Sequence, residues 1–124
     1  MTKFVALTGV IETYFDGLYH ADAGKLATVF HPKAIYATAD EMPLLYRTMD
    51  EYLPVVAARK SPASQNEPRR DLIESIEFAG ENTAFARVRC SIGTKDFVDF
   101  LTLVRTDGAW WIMAKVFQIT EREA

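Results

Sequence analysis

The sequence is poor in the residues that build most metal and redox centres: its 124 residues include one cysteine, Cys90, and two histidines. A lone cysteine excludes an intramolecular disulfide and any multi-cysteine metal cage, and it fits a reducing compartment. His20 and His31 have no metal-ligand spacing, so no metal is expected. Basic charge is not in excess either. Lys and Arg number 14 against 17 Asp and Glu, for a net charge of -3, which argues against the footprint of a nucleic-acid binder. There is no phosphate-binding glycine loop, nucleophile elbow or dinucleotide fingerprint, so no obligatory cofactor is expected. Long apolar runs are missing too: no stretch approaches the ~20 residues needed to span a bilayer. The run Phe4 to Ile11 is met at once by Glu12 and Asp16 and keeps helical spacing, so it reads as a helix of the mature protein and not as a signal peptide. A soluble, cytoplasmic protein without membrane contact is expected.

What is present is material for a core. Hydrophobic residues make up 49% and aromatics 12%, enough for one domain over residues 1–124. Phe4, Leu7, Ile11, Tyr14 and Leu18 recur at three- and four-residue steps, with Val10, Phe15 and Tyr19 widening the stripe, and so predict a long amphipathic helix. Asp22 is placed to cap a second helix carrying Leu26, Val29 and Phe30, which His31-Pro32 should stop. A strand follows over 34–39, with Tyr36 and Thr38 on one face. Asp40 to Arg47 reads as a loop or short hairpin. Thr48 and Glu51 form a capping-box pattern for a third helix, which Pro54 should kink or shorten. Residues 60–70 read as a polar and mobile loop.

After this loop the chain turns β-rich, over 71–79, 83–93, 96–105 and 109–120, with Asp107-Gly108 a strong hairpin signal. Helices first and an antiparallel meander afterwards predict an α+β fold. Both parities of the last two strands carry large side chains, Phe97, Leu101 and Leu103 against Val98, Phe100 and Val104. A sheet with one wet face would alternate instead. A homodimer through the sheet is therefore expected. On the last strand, strict alternation lets Lys115 face a pocket only together with Met113 and Phe117.

Several blocks carry a family resemblance: Tyr14–Tyr19 (YFDGLY), Phe30–Ala34 (FHPKA), Asp50–Leu53 (DEYL), Arg59–Pro62 (RKSP) and Val98–Leu103 (VDFLTL), followed by Asp107-Gly108, Trp110 and Lys115–Phe117. Together they resemble the putative lumazine-binding branch of the nuclear transport factor two-like superfamily, which also holds SnoaL-like cyclases, dehydratases and ketosteroid isomerases. The resemblance implies a cone-shaped roll: a curved antiparallel sheet with a mixed edge, packed against N-terminal helices around an apolar pocket, in a cystatin-like fold. It places Thr38 where the isomerases carry their general-base aspartate, and Thr102 near their later acid. Isomerase chemistry of that kind is thus not implied.

Asp99 and Lys115 interrupt otherwise apolar runs, and a charge there must be paired, neutralised or at a wet cavity. They are candidates for a pocket acid and an orienting lysine; the competing role is a structural ion pair. His31 and Asp99 are the candidate general bases, with a helix-end hydrogen bond as the alternative for His31. Tyr14, Tyr36, Thr38, Cys90, Trp110 and Lys115 are candidate ligand contacts, against the alternative that they fill the core. Arg47 and Arg59, flanking the third helix, are placed to meet an anionic ligand or simply to lie on the surface. Two functions follow: a binder of a small aromatic or polycyclic molecule, or a cofactor-free isomerase, cyclase or dehydratase.

Overall fold

The chain enters its first helix through Thr2, whose hydroxyl accepts the Val5 N–H at 3.1 Å. In a computed structural model, which describes residues 2–123, helix α1 (Lys3–Tyr19) buries Leu7, Ile11, Tyr14, Phe15 and Leu18 along the stripe that the periodicity marks. Gly17 lets the next helix approach: a Cβ there would sit 2.6 Å from Leu26 Cδ2. Asp22 caps α2 (Ala23–Ala27) by accepting the Lys25 N–H.

Helix α2 is shorter than its apolar spacing suggests. Phe30 already opens strand β1 (Phe30–Thr38), so His31-Pro32 lies in a strand and does not end a helix. The competing force is pairing: β1 runs parallel to the last strand, and Ile112 N–H donates to Val29 O at 2.8 Å. The ladder between them shifts register between Phe30 and Ile35, the stretch where Pro32 has no N–H to offer. Strand β2 (Leu45–Thr48) pairs antiparallel with β1. It leads into α3 (Met49–Ala57), where the Glu51 carboxylate accepts the Thr48 N–H at 3.0 Å. Pro54 lies inside α3, and the helix ends after 9 residues.

The polar loop expected to be mobile is pinned. It holds a 3-10 turn (Ala63–Gln65), Tyr19 Oη donates to Glu67 O at 2.6 Å, and Arg69 bridges Asp16 and Asp71. The meander then follows as β3 (Leu72–Ala79), β4 (Thr83–Ile92), β5 (Lys95–Thr106) and β6 (Ala109–Glu121). At the last turn Asp107 and Gly108 both have positive φ, 52° and 79°, the geometry that matches the right-handed twist of the strands they join. The sheet order is β2-β1-β6-β5-β4-β3. The β1–β6 pair is parallel and every other pair antiparallel. No helix among the described residues is long and apolar enough to cross a membrane.

A bulge in β6 sets which side chains face inward. Thr102 pairs with Ala114 but Leu103 with Ile112, leaving Met113 as an extra residue. Such an insertion flips the inward parity. Trp110 and Ile112 are therefore buried before it, and Lys115 and Phe117 after it. Strict alternation is overturned here: Lys115 points inward with Phe117 but without Met113, which is only half-buried. On β5 the inward residues include Asp99, Leu101 and Leu103, while Phe100 is exposed on the other side.

Candidate functional site

Three strands and the first helix deliver one polar cluster to the interior. Asp99 projects from the middle of β5 and is fully buried. Its Oδ2 accepts a 2.5 Å hydrogen bond from Tyr14 Oη on α1, lies 3.6 Å from Cys90 Sγ on β4, and sits 4.0 Å from Lys115 Nζ on β6. Its Oδ1 is buried with no hydrogen-bond partner among the described residues. At 4.0 Å the Asp99–Lys115 pair attracts without forming a hydrogen bond, so the ammonium's donors are not met by the carboxylate.

Aromatic rings box the ammonium instead. Lys115 Nζ lies 5.2 Å from the ring centre of Tyr14, 5.3 Å from Tyr36, 5.8 Å from Tyr52 and 5.1 Å from Phe117. Ring faces attract a cation at such distances. Tyr36 and Tyr52 are themselves stacked, with centroids 4.2 Å apart. Burial by itself pulls the Lys115 pKa down, but Asp99, together with Tyr52, Tyr36 and Cys90, more than offsets it and holds the value above an ordinary lysine's. Burial, reinforced by Asp99, pushes both the Tyr14 phenol and the Cys90 thiol well up, so both are neutral and protonated at physiological pH.

Above the cluster the cone opens into a pocket of about 250 Å³. Tyr36, Phe97 and Phe117 form its aromatic wall, and Arg47, Arg59 and Lys95 stand around it. Tyr36 and Phe117 thus belong both to this wall and to the box around Lys115. Asp99 and Lys115 do not line the pocket themselves; Lys115 reaches it through these two rings, and Asp99 through Lys115.

The structure brings Tyr14, Tyr36, Cys90, Asp99 and Lys115 together and separates the other three candidates from them. His31 lies on the outer side of the sheet, edge-on to Trp111 at 5.9 Å, with Nδ1 accepting the Lys33 N–H. Its neighbour Phe30 takes the inward position at the start of β1, so His31 faces away from the cluster and is no pocket base. Thr38 is buried, but its hydroxyl donates to Phe117 O at 2.7 Å and accepts the Asp40 N–H. It ties the end of β1 to β6. Trp110 packs on Phe78 at the far end of the sheet, opposite Arg105. Thr102 is exposed on the outer face, so Asp99 is the inward acid of β5. The residue that sequence reasoning missed is Tyr52, which the spacing of α3 marks only as one more apolar-face position.

Comparison with known proteins agrees with the fold. The chain is 27% identical to an NTF-2 like protein of unknown function from Silicibacter pomeroyi DSS-3, over 97% of this chain and 100% of that one, with a TM-score of 0.81. An NTF2-like protein of unknown function from Shewanella baltica OS155 is 21% identical over 97% and 98% of the two chains, with a TM-score of 0.83. A protein with a cystatin-like fold from Caulobacter vibrioides, 15% identical over 95% and 89%, superposes with a TM-score of 0.65. No curated protein matches. The family described as "Putative lumazine-binding" matches residues 2–118; with the mixed six-stranded sheet and the N-terminal helices that cover it, the chain belongs to that family, within the nuclear transport factor two-like superfamily.

Proposed function

We propose that the protein binds a small planar aromatic or polycyclic molecule in the mouth of the cone, above the Asp99–Lys115 pair. One observation carries this reading: the Asp99 carboxylate is fully buried with Oδ1 unpartnered among the described residues, under an aromatic-walled pocket. A buried acceptor without a partner costs about 1–3 kcal/mol, and native structures keep few of them. A ligand that enters past Tyr36 and Phe117, the two rings shared by the pocket and the box around Lys115, and that carries a ring N–H beside a carbonyl, would give the carboxylate a donor and the ammonium an acceptor. Lumazine, the compound in the family's description, has that edge on a flat bicycle. The test is a thermal-shift series with lumazine, a flavin, a steroid and a polyketide-like compound. Wild type is expected to be stabilised by at least one class, in proportion to ligand excess, and the Asp99→Leu/Lys115→Met double variant by none. Equal stabilisation of both proteins, or no stabilisation of wild type by any class, sinks the reading.

The same free oxygen supports a second reading, a cofactor-free isomerase, cyclase or dehydratase. Tyr14 occupies Oδ2, leaving Oδ1 as the atom that would take a proton from a bound substrate. A turnover assay separates the two: an enzyme converts the bound compound and loses that activity in Asp99→Asn while keeping affinity, whereas a binder converts nothing in either protein.

For the assembly we propose a cytoplasmic homodimer through the outer face of the sheet. Phe100 and Val116 are cross-strand partners on that face, 44% and 47% exposed, and Phe85 packs edge-on against Phe100. Adjacent exposed apolar side chains of this kind mark association surfaces. Val116→Lys is expected to yield a monomer by light scattering; a monomeric wild type would overturn the dimer, and a variant that stays dimeric would overturn this face as its interface.

A further inference from the structure

We infer that the ligand of the mouth pocket is an anion, a planar aromatic molecule bearing a carboxylate that Arg47 and Arg59 clamp. This rests on the small-molecule reading above and adds to it the charge and the end by which the ligand is held. The inference begins with how the chain places its arginines. Of the 8 arginines in the sequence, Arg69, Arg87, Arg89, Arg105 and Arg122 each pair with a carboxylate of the chain, and Arg70 is exposed to water. Arg47 and Arg59 pair with none among the described residues, although both are half-buried. Guanidinium groups removed from water without a carboxylate are disfavoured unless something else meets them.

These two arginines come from different places, β2 and the residue just past the cap of α3, and converge on one pocket. Both act on the same phenol: each draws the Tyr36 hydroxyl's pKa down, against the larger upward push of burial. Lys95 adds a third cation from the start of β5. The local acids do not cancel them. Glu41 is exposed on the β1–β2 loop and makes no ion pair among the described residues. Glu51 commits its Oε1 to the Thr48 N–H and hydroxyl at the start of α3, bonds that with a smaller pull from Arg47 hold its carboxylate charged, and it does not line the pocket.

Three cations at the rim, against one exposed carboxylate, define one end of the site; Tyr36, Phe97 and Phe117 define the other. An aromatic acid matches both: its ring lies on the aromatic wall and its carboxylate meets the guanidinium forks, which suit planar anions. A neutral ring of the same shape would find the wall but leave the arginines unpaired.

Calorimetric titration with 2-naphthoate and its uncharged counterpart 2-naphthamide tests this directly. Naphthoate is expected to bind at least about tenfold more tightly than naphthamide at low salt, the size expected for charge-assisted hydrogen bonds at a half-exposed site. The advantage should shrink at high salt. In Arg47→Gln/Arg59→Gln the difference between the two probes should vanish, with naphthamide still bound as the sign that the aromatic wall is intact. Glu41→Gln, which removes the pocket's own acid, should tighten naphthoate further. Equal binding of the two probes to wild type, or a preference for naphthoate that survives loss of both arginines, overturns the anion site and leaves the aromatic pocket standing. Binding of neither probe overturns both.

Discussion

Lys115→Met is expected to destabilise the protein by about 3–5 kcal/mol, since it leaves the Asp99 carboxylate buried without its counter-ion. Asp99 has no exposure and Lys115 only 5%. The loss should not be symmetrical. In Asp99→Asn the stranded ammonium still lies among the rings of Tyr14, Tyr36, Tyr52 and Phe117, which together recover about 1–2 kcal/mol for a desolvated cation. The stranded carboxylate of Lys115→Met keeps one hydrogen bond from Tyr14 and a thiol at 3.6 Å. Asp99→Asn should therefore be the milder change.

Removing both charges is different again. Replacing a buried pair by apolar residues of similar volume is commonly neutral or stabilising, so Asp99→Leu/Lys115→Met should return to within about 1 kcal/mol of wild type or exceed it. Urea unfolding of the four proteins, with unchanged m-values, closes the double-mutant cycle. Recovery in the double variant would mean that the fold does not need this pair, and that the chain retains it for what it binds. If the double variant is as unstable as Lys115→Met, the cluster is structural, and the binding proposal loses its main support.

The weight of these two charges is legible in the sequence, because Asp99 and Lys115 each interrupt an apolar strand pattern and burial of a lone charge is prohibitive. Period-two and period-3.6 patterns likewise mark α1, α3, the four meander strands and the Asp107-Gly108 turn. The rest depends on tertiary pairing. Nothing local marks Met113 as the residue that β6 loops out; the bulge exists because Leu103 pairs with Ile112 while Thr102 pairs with Ala114. Without it, Lys115 and the buried Trp110 and Ile112 could not share a face. The early end of α2 has the same origin, since Val29 and Phe30 fit a helical stripe but are drawn into pairing with Ile112. Arg47 and Arg59 stand out in the sequence as candidates, yet only the fold shows that they meet at one pocket and that no carboxylate of the described chain meets them.

Alkaline pH should unfold the protein far more sharply than its surface charge implies. Four buried groups, Cys90, Tyr14, Tyr36 and Lys115, all have folded pKa values above their ordinary 9.0, 10.0, 10.0 and 10.5. For the thiol and both phenols the leading cause is burial, which disfavours the thiolate and phenolate; for the lysine, burial pulls the other way and Asp99, with Tyr52, Tyr36 and Cys90, together overcome it. In each case the folded state holds a proton that the unfolded chain releases. The stability these groups contribute is therefore complete below their ordinary values and is lost as pH rises through the folded ones. Each retained proton steepens the loss by about 1.4 kcal/mol per pH unit. The decline should begin near the ordinary thiol value of 9.0, steepen near 10 as the phenols join, and total up to about 6 kcal/mol by roughly pH 11. That is comparable to the whole stability of many domains. Cys90→Ala isolates the first step: its onset should move up by about one pH unit, from the thiol's range to the phenols', with the later decline unchanged. A stability curve flat to about pH 11, or an onset in Cys90→Ala identical to wild type, would show that these groups are hydrated in the folded protein and that the cluster beneath the pocket is open to water.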